Sequence, residues 1–396
     1  MKKAFYLFLL IPAVVFGQLP ETEKGIHFEQ GTFASLVEKA KKENKMIMLD
    51  AYTTWCGPCK WMAKNIFPND TVAAYYNANF INAKIDMEKG EGIDIAKKYQ
   101  VSCYPTYLFI DGNGQLAHRI SSSMPAKQFV EQGMNAMDPA KRFVTYQKKY
   151  DSGKSTPDEM AEYILMRGRT CLPAKDEMAK YFSTQKDEDL TQKRNWSLLW
   201  ENRISINTDS REFRYFIDHQ TDFEKLYEPT EVTRVAKDAY TFALYNDVKS
   251  KNTDAYNKRK AEILQRNFSF SEEMVLSSDM SLYQANKDWK QYAENSAKYI
   301  EKFKKDDYNT LNNIAWDFYE NVDDKAMLAK AEGWIKHSVE LQPGYFNYDT
   351  YAAVLYKLGK KTEAKATAEK AIELAKKTGD DYKATQEMLD KINAMK

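Results

Sequence analysis

Two periodicities of apolar residues alternate along the first third of the chain. Apolar residues recur every three to four positions in "TFASLVEKAKKEN", "NDTVAAYYNANF" and "PAKQFVEQGMNAM", which is typical of amphipathic helices. Short apolar runs in "KMIMLDAY", "FINAKIDM" and "PTYLFIDG" predict strands, and "DGNG" predicts a hairpin turn before a last strand, "QLAHRI". Helices that alternate with strands and then give way to a hairpin predict an α/β domain over residues 24–137.

The strand signals stop after Pro139, and residues 138–270 carry only helical patterns. "EFRYFIDHQTDFEKLY" and "VTRVAKDAYTFALYNDV" are two of these amphipathic segments, and they predict an all-helical domain. Trp196 and Trp200 are four positions apart, so they share a helix face. We interpret them as core anchors, because the pattern of large apolar and charged positions needs no ligand to explain it.

Residues 271–396 contain an internal repeat. Leu311 aligns with Tyr348, 37 positions later, and Ala331 aligns with Ala364, 33 positions later. A short insertion near "DDKA" accounts for the difference, so the underlying period is close to the roughly 34 residues of a tetratricopeptide repeat, which these units resemble. An ordinary helical bundle is the competing interpretation. The resemblance implies stacked helix pairs that bind a peptide or another protein.

The N-terminus has the pattern of a secretory signal peptide over residues 1–17. Lys2 and Lys3 precede an apolar run that is too short to span a membrane, and small Gly17 follows it. Because no cysteine follows the cut, a lipid anchor is not indicated. We expect a soluble chain that is exported across the inner membrane to the periplasm, although a eukaryotic secretory route also fits this pattern.

The charge balance and the histidine positions exclude several classes of function. The chain has 58 Lys and Arg against 57 Asp and Glu, so no global charge recruits nucleic acid or an anionic membrane. Its four histidines are widely separated, without the spacing of metal ligands. We therefore expect no metal, no nucleic acid and no His-based nucleophile.

The stretch "TTWCGPCKWM" carries the candidate chemistry. It follows a predicted strand directly, so Cys56 is expected at the start of the next helix, where the helix dipole favours a thiolate. Pro58 suits the first helical turn, and Cys59 shares a helix face with Cys56 and can bond to it. A zinc site would need a second ligand pair, and Cys103 and Cys171 are 68 positions apart without a nearby histidine. A structural disulfide is disfavoured because it would close almost no loop.

"WCGPCK" is identical to the active-site motif of the thioredoxin superfamily, and the resemblance covers the whole first domain. It implies a thioredoxin fold with a central mixed sheet, and a redox-active Cys56–Cys59 disulfide as the only prosthetic element. Cys56 would be the nucleophile, Cys59 the resolving thiol and Asp50 the proton-transfer group, with Lys84 as its candidate partner. "YPT" matches the cis-proline loop of the family. The implied substrate groove consists of Trp55, Gly57, Pro58, Tyr104, Pro105 and Thr106.

Two positions depart from classical thioredoxin, and a third raises a separate question. Lys64 replaces a proline, as in secreted thioredoxin-like domains, including the periplasmic domain of the transmembrane disulfide reductase. "ISSSMP" replaces a glycine after the last strand and changes the expected groove. Cys103, two residues before Pro105, is an accessory or regulatory thiol, a mixed-disulfide site, a small buried residue, or one end of a bridge to Cys171.

These observations predict an exported protein-disulfide reductase or isomerase with a CGPC dithiol. Gly57 and Pro58 resemble the reducing members of the family. Partners would be disulfide-bearing client proteins and a membrane protein that supplies electrons. Two alternatives remain: a scaffold protein that binds through its repeats and docks through its thioredoxin-like domain, and a disulfide-forming oxidase.

Overall fold

The structure is a computed structural model that describes residues 24–395. The predicted signal peptide over residues 1–17 lies outside this range. The chain forms two compact units, one ending at Asn202 and the other beginning at Arg203, and each is described by itself. The predicted domain ranges 24–137, 138–270 and 271–396 stay predictions.

The first unit contains a four-stranded mixed sheet. Its strands are β1 (Met46–Tyr52), β2 (Phe80–Asp86), β3 (Thr106–Ile110) and β4 (Leu116–Ser121), in the spatial order β2-β1-β3-β4. The β1–β2 pair is parallel, whereas β1–β3 and β3–β4 are antiparallel. β1 therefore lies inside the sheet, and all its residues except Tyr52 are buried. A strand buried on both faces is what its continuous apolar run predicts.

Five helices cover this sheet: α1 (Phe33–Glu43), α2 (Gly57–Asn65), α3 (Asp70–Asn79), α4 (Gly92–Lys98) and α5 (Ala126–Met137). Alternate residues of β1 enter different cores, as the pleat requires. Met48 packs in a cluster with Phe109 and Phe129, and Ile47 and Leu49 pack in another. The predicted α/β class with a central mixed sheet flanked by helices is confirmed.

Four more helices continue the first unit: α6 (Phe143–Asp151), α7 (Pro157–Arg169), α8 (Lys175–Phe182) and α9 (Lys193–Glu201), with 3₁₀ turns at Pro139–Lys141 and Asp187–Asp189. Two buried side chains of β4 join these helices to the sheet. His118 Nδ1 accepts a hydrogen bond from the Phe143 backbone N–H (3.1 Å), and Arg119 reaches the Thr170 carbonyl (3.5 Å). Burial lowers the pKa of His118 to about 4, so this imidazole is neutral and able to accept.

The described residues of the second unit, 203–395, form helices joined by loops, without a strand. Its helices are α10 (Arg211–Asp218), α11 (Gln220–Glu224), α12 (Pro229–Lys249), α13 (Thr253–Arg266), α14 (Ser271–Ala285), α15 (Trp289–Tyr299), α16 (Tyr308–Asn321), α17 (Lys325–Leu341), α18 (Tyr345–Lys357), α19 (Lys361–Thr378) and α20 (Lys383–Asn393), with a π-helical turn at Ile300–Lys304. α16 packs on α17 and α18 on α19. Ala331 and Ala364, which the repeat alignment pairs, are both fully buried. The assignment to tetratricopeptide repeats stays a prediction.

Across residues 24–395, no helix is both long enough and apolar enough to span a membrane.

Candidate functional site

The two cysteines of the motif lie where β1 passes into α2. Cys56 is the N-cap residue of α2, with Pro58 in the first turn. Its Sγ accepts a hydrogen bond from the Cys59 backbone N–H (3.0 Å). Cys56 and Cys59 are joined by a disulfide, with their Cα atoms 5.3 Å apart. When this bond is reduced, the same N–H and the helix dipole would stabilise negative charge on Cys56.

Exposed residues surround this buried pair. Cys56 and Cys59 are 2% and 4% exposed, whereas Gly57 and Pro58 are exposed and Trp55 is 65% exposed. The exposed indole of Trp55 offers a large apolar surface for contact with another polypeptide. The Cys56–Cys59 disulfide therefore lies just beneath an exposed surface.

Trp55 is held in place from two sides. Its Nε1 donates a hydrogen bond to Glu88 Oε2 (2.9 Å), and its ring meets the edge of the Tyr104 ring, with 6.1 Å between centroids. Sequence reasoning missed Glu88, because nothing in its local pattern distinguishes it from other surface carboxylates.

Asp50 is a carboxylate inside the sheet, 1% exposed. It pairs in register with Lys84 on β2, and its carboxylate lies 3.9 Å from Lys84 Nζ. Its Oδ1 has no hydrogen-bond partner within the described residues. Burial raises the pKa of Asp50 to about 7, and the Lys84 charge opposes this rise only in part. Asp50 can therefore take up or release a proton near neutral pH.

The proline loop adjoins the end of β1. The Tyr104–Pro105 peptide bond is cis, which confirms the expectation from "YPT". Thr106 pairs with Ala51 of β1, and its Oγ1 donates to the Cys103 carbonyl (2.7 Å). The register thus brings Pro105 and Thr106 to the end of β1 that leads into the cysteine motif.

The serine segment after β4 borders the same loop. Ser122 has φ +85°, a left-handed conformation that favours glycine, and its N–H donates to the Pro105 carbonyl (3.0 Å). The backbone conformation suited to glycine is therefore present although the residue is serine. A groove of about 570 Å³ lies beside it, lined by β4, α5, α7 and neighbouring residues.

Cys103 is not a free thiol in this structure. It is bonded to Cys171, with the two Cα atoms 6.1 Å apart, and all four cysteines of the chain are paired. The accessory role of Cys103 stays a prediction. The bridge was one of the options that the sequence left open. Nothing in the sequence indicates that Cys103 and Cys171 are close in the fold.

No cluster of three or more His, Cys, Asp or Glu residues suited to a metal ion occurs in the part of the chain that the structure describes.

Part of the first unit is similar to known proteins. A family model described as a thioredoxin-like domain matches residues 33–135. Thioredoxin Y, chloroplastic, of Oryza sativa subsp. japonica is 33% identical over 116 residues, which are 29% of this chain and 66% of that protein. Thiol:disulfide interchange protein DsbD of Yersinia pestis is 34% identical over 99 residues, which are 24% of this chain and 17% of that protein. The chain thus spans just under two thirds of the first relative and a small part of the second.

Among solved structures, a proposed disulphide-isomerase from Bacteroides thetaiotaomicron is 39% identical, with a TM-score of 0.28. The match covers 29% of this chain and 95% of that one.

Proposed function

We propose that this protein is an exported thiol–disulfide oxidoreductase that reduces or isomerises disulfides in client proteins. Its residues 33–135 form a thioredoxin-like domain with the thioredoxin fold. The observation that carries the proposal is the Cys56–Cys59 disulfide at the start of α2, with both cysteines almost buried beneath exposed Trp55. Matching relatives named thioredoxin and thiol:disulfide interchange protein support the same reaction class.

The reaction starts from the reduced pair. The Cys56 thiolate attacks one sulfur of a client disulfide, forms a mixed disulfide and releases the other client sulfur as a thiolate. Cys59 then loses its proton and attacks the Cys56 sulfur. The products are a client with two thiols and a Cys56–Cys59 disulfide, so two electrons pass from the protein to the client. A reductant must return the pair to the dithiol state before the next turnover.

Asp50 is assigned the proton transfers of the second step. Cys59 must be deprotonated to attack, and its buried position keeps solvent bases away. A carboxyl group whose pKa burial raises to about 7 can accept that proton at neutral pH and give it back. Lys84 would stabilise the carboxylate form between these events.

Exposed residues above the cysteine pair and more buried residues beside it form the proposed client groove. Trp55, Gly57 and Pro58 present a surface above the pair, and Tyr104, Pro105 and Thr106 border it at the end of β1. Backbone groups of the proline loop would pair with an extended client segment.

Export and a membrane electron donor belong to the same proposal. The signal-peptide pattern over residues 1–17 supports export, and a pair that works as a reductant in an oxidising compartment needs an outside electron source. Cell fractionation checks the location: full-length protein found in the cytoplasm with residues 1–17 still attached would contradict export.

A scaffold function is the second candidate, favoured by the apolar surface of the second unit. Phe346, at the start of α18, is 65% exposed, and Leu341 at the end of α17 is 40% exposed. We propose that this region docks a partner or selects clients. Replacing Phe346 by serine would then weaken partner binding while disulfide chemistry at Cys56 continues; unchanged binding would contradict this role.

Insulin reduction tests the leading function. The full chain with dithiothreitol should precipitate insulin B chain at least about tenfold faster than dithiothreitol alone, because a positioned thiolate outcompetes a free thiol. Reactivation of scrambled ribonuclease, measured in parallel, separates isomerase from reductase activity. Insulin precipitation no faster than with dithiothreitol alone would contradict the proposal.

A further inference from the structure

The Cys103–Cys171 disulfide links two loops beside the proposed client groove. Cys103 lies in the loop before β3, next to Tyr104, whose ring contacts Trp55. Cys171 lies in the loop between α7 and α8, beyond the end of the matched thioredoxin-like domain. The bond therefore ties the helical segment of the first unit to the edge of the groove.

This second disulfide is more accessible than the first. Cys103 and Cys171 are each half-buried, whereas Cys56 and Cys59 are almost fully buried. Thiol–disulfide exchange requires an incoming thiolate to reach a sulfur atom in line with the bond. Both residues of this pair reach the protein surface, unlike the buried Cys56 and Cys59.

Noncovalent contacts would hold the two loops together after reduction. Ser102 Oγ donates a hydrogen bond to the Cys171 carbonyl (3.0 Å). Arg119, 2% exposed, donates to the carbonyls of Tyr99 (2.9 Å), Gln100 (3.2 Å) and Thr170 (3.5 Å), and so bridges both loops. Leu172 is buried against residues of α6 and α7. Two thiols kept at close range in this way can form their bond again.

We propose that Cys103–Cys171 is a second thiol–disulfide exchange site, which takes dithiols and opens and closes reversibly in the folded protein. A thiolate of the incoming dithiol attacks Cys103 Sγ, forms a mixed disulfide and releases Cys171 as a thiolate. The second thiol of the dithiol, after losing its proton, attacks the dithiol sulfur of the mixed disulfide, which breaks the bond to Cys103 and releases Cys103 as a thiolate. The dithiol becomes a disulfide, and Cys103 and Cys171 take up its two electrons and two protons.

The charge near Cys171 suits this direction of attack. Arg119 reaches the carbonyl of the residue that precedes Cys171, and all three groups that accept its hydrogen bonds are neutral carbonyls. Cys171 is therefore assigned as the leaving thiolate, since the residue directly before it is hydrogen-bonded to the Arg119 guanidinium. The mixed disulfide then stays on Cys103, beside the groove.

Redox titration of the full chain with Cys56→Ser and Cys59→Ser tests this inference. The variant is equilibrated over a range of reduced to oxidised dithiothreitol ratios, thiols are alkylated, and intact mass and circular dichroism are recorded. We expect the remaining pair to pass reversibly between bonded and reduced forms with the helical signal unchanged. A bond that resists reduction until the chain unfolds, or that does not form again, identifies a purely structural disulfide and overturns the inference.

Ser102→Ala in the same background tests the contacts that hold the loops. Loss of one hydrogen bond should lower the equilibrium constant for closing the bond by about two- to tenfold. Ser152→Ala is the matched control, because its exposed hydroxyl donates to the Lys149 carbonyl at the C-terminal end of α6, and it should leave the titration unchanged. Equal shifts in both variants would overturn the inference. Because Cys56 and Cys59 are absent, these results are independent of insulin reduction by the wild-type chain.

Discussion

Replacing Cys56 by serine is expected to lower insulin reduction at least about tenfold, to the rate of dithiothreitol alone. The hydroxyl group is not ionised at neutral pH, so the attacking group is lost outright, as when other enzymes lose their nucleophile. The side chains are similar in size and Cys56 is an N-cap residue, a position that serine favours, so the fold should persist. Rates of insulin precipitation, with circular dichroism as the folding check, measure this effect.

Cys59→Ser is the matched comparison for this prediction. It keeps the nucleophile and removes the resolving thiol, so a mixed disulfide with the client should accumulate at Cys56 instead of being released. Non-reducing electrophoresis and mass spectrometry detect this adduct. Cys56→Ser should give no adduct at Cys59, because Cys59 lies one turn into α2 and lacks the N-cap position that stabilises a thiolate on Cys56. Comparable turnover by both variants would mean that the reaction takes place elsewhere, and the mechanism proposed for this pair would be wrong.

Asp50→Asn is expected to stabilise the folded protein at alkaline pH, and the gain in stability should be much smaller in acid. The pKa of Asp50 is 3.8 for the free side chain and about 7 in the folded protein, where burial is the main cause. Between these values ionisation disfavours folding, so wild-type stability falls as pH rises from about 4 to 7 and stays low above 7. Three pKa units at about 1.4 kcal/mol each give an upper limit near 4 kcal/mol for the gain at pH 8.

Urea unfolding of the oxidised chain at pH 5 and pH 8 measures this difference in the free energy of unfolding. Asp94→Asn is the control, because Asp94 is exposed on α4 and its replacement should change stability by no more than about 0.5 kcal/mol at either pH. A gain that is the same at both pH values would show that Asp50 is not protonated near neutral pH. The role assigned to it in proton transfer would then have no basis.

Local patterns identified most of the fold that positions the site. The apolar run of β1 predicts a strand buried on both faces, and the cysteine motif directly after it leads to Cys56 at the start of α2. Asp50 could be singled out because a carboxylate in an apolar strand is costly unless it is paired or titrates. Each of these features depends on residues that are close together in the chain or on the apolar pattern of a single strand.

Features that depend on packing between distant segments could not be predicted. The Cys103–Cys171 bond joins residues 68 positions apart, and it depends on how the loop after α7 packs beside the proline loop. Arg119 looks like an ordinary charged residue of a half-exposed strand, yet it is buried and bridges that same pair of loops. Ser122 adopts its left-handed conformation where the strand pattern ends, and its sequence context does not show this.

The reduction potential of the Cys56–Cys59 pair tests the central claim most directly. It is measured by equilibrating the full chain with dithiothreitol or glutathione buffers and quantifying both cysteines by alkylation and peptide mass spectrometry. A protein that reduces or isomerises client disulfides should have a potential between about −270 and −180 mV, the range of thioredoxin to protein disulfide isomerase. A potential near −120 mV, typical of a strong oxidant, or a pair that is reduced only when the chain unfolds, would contradict the account.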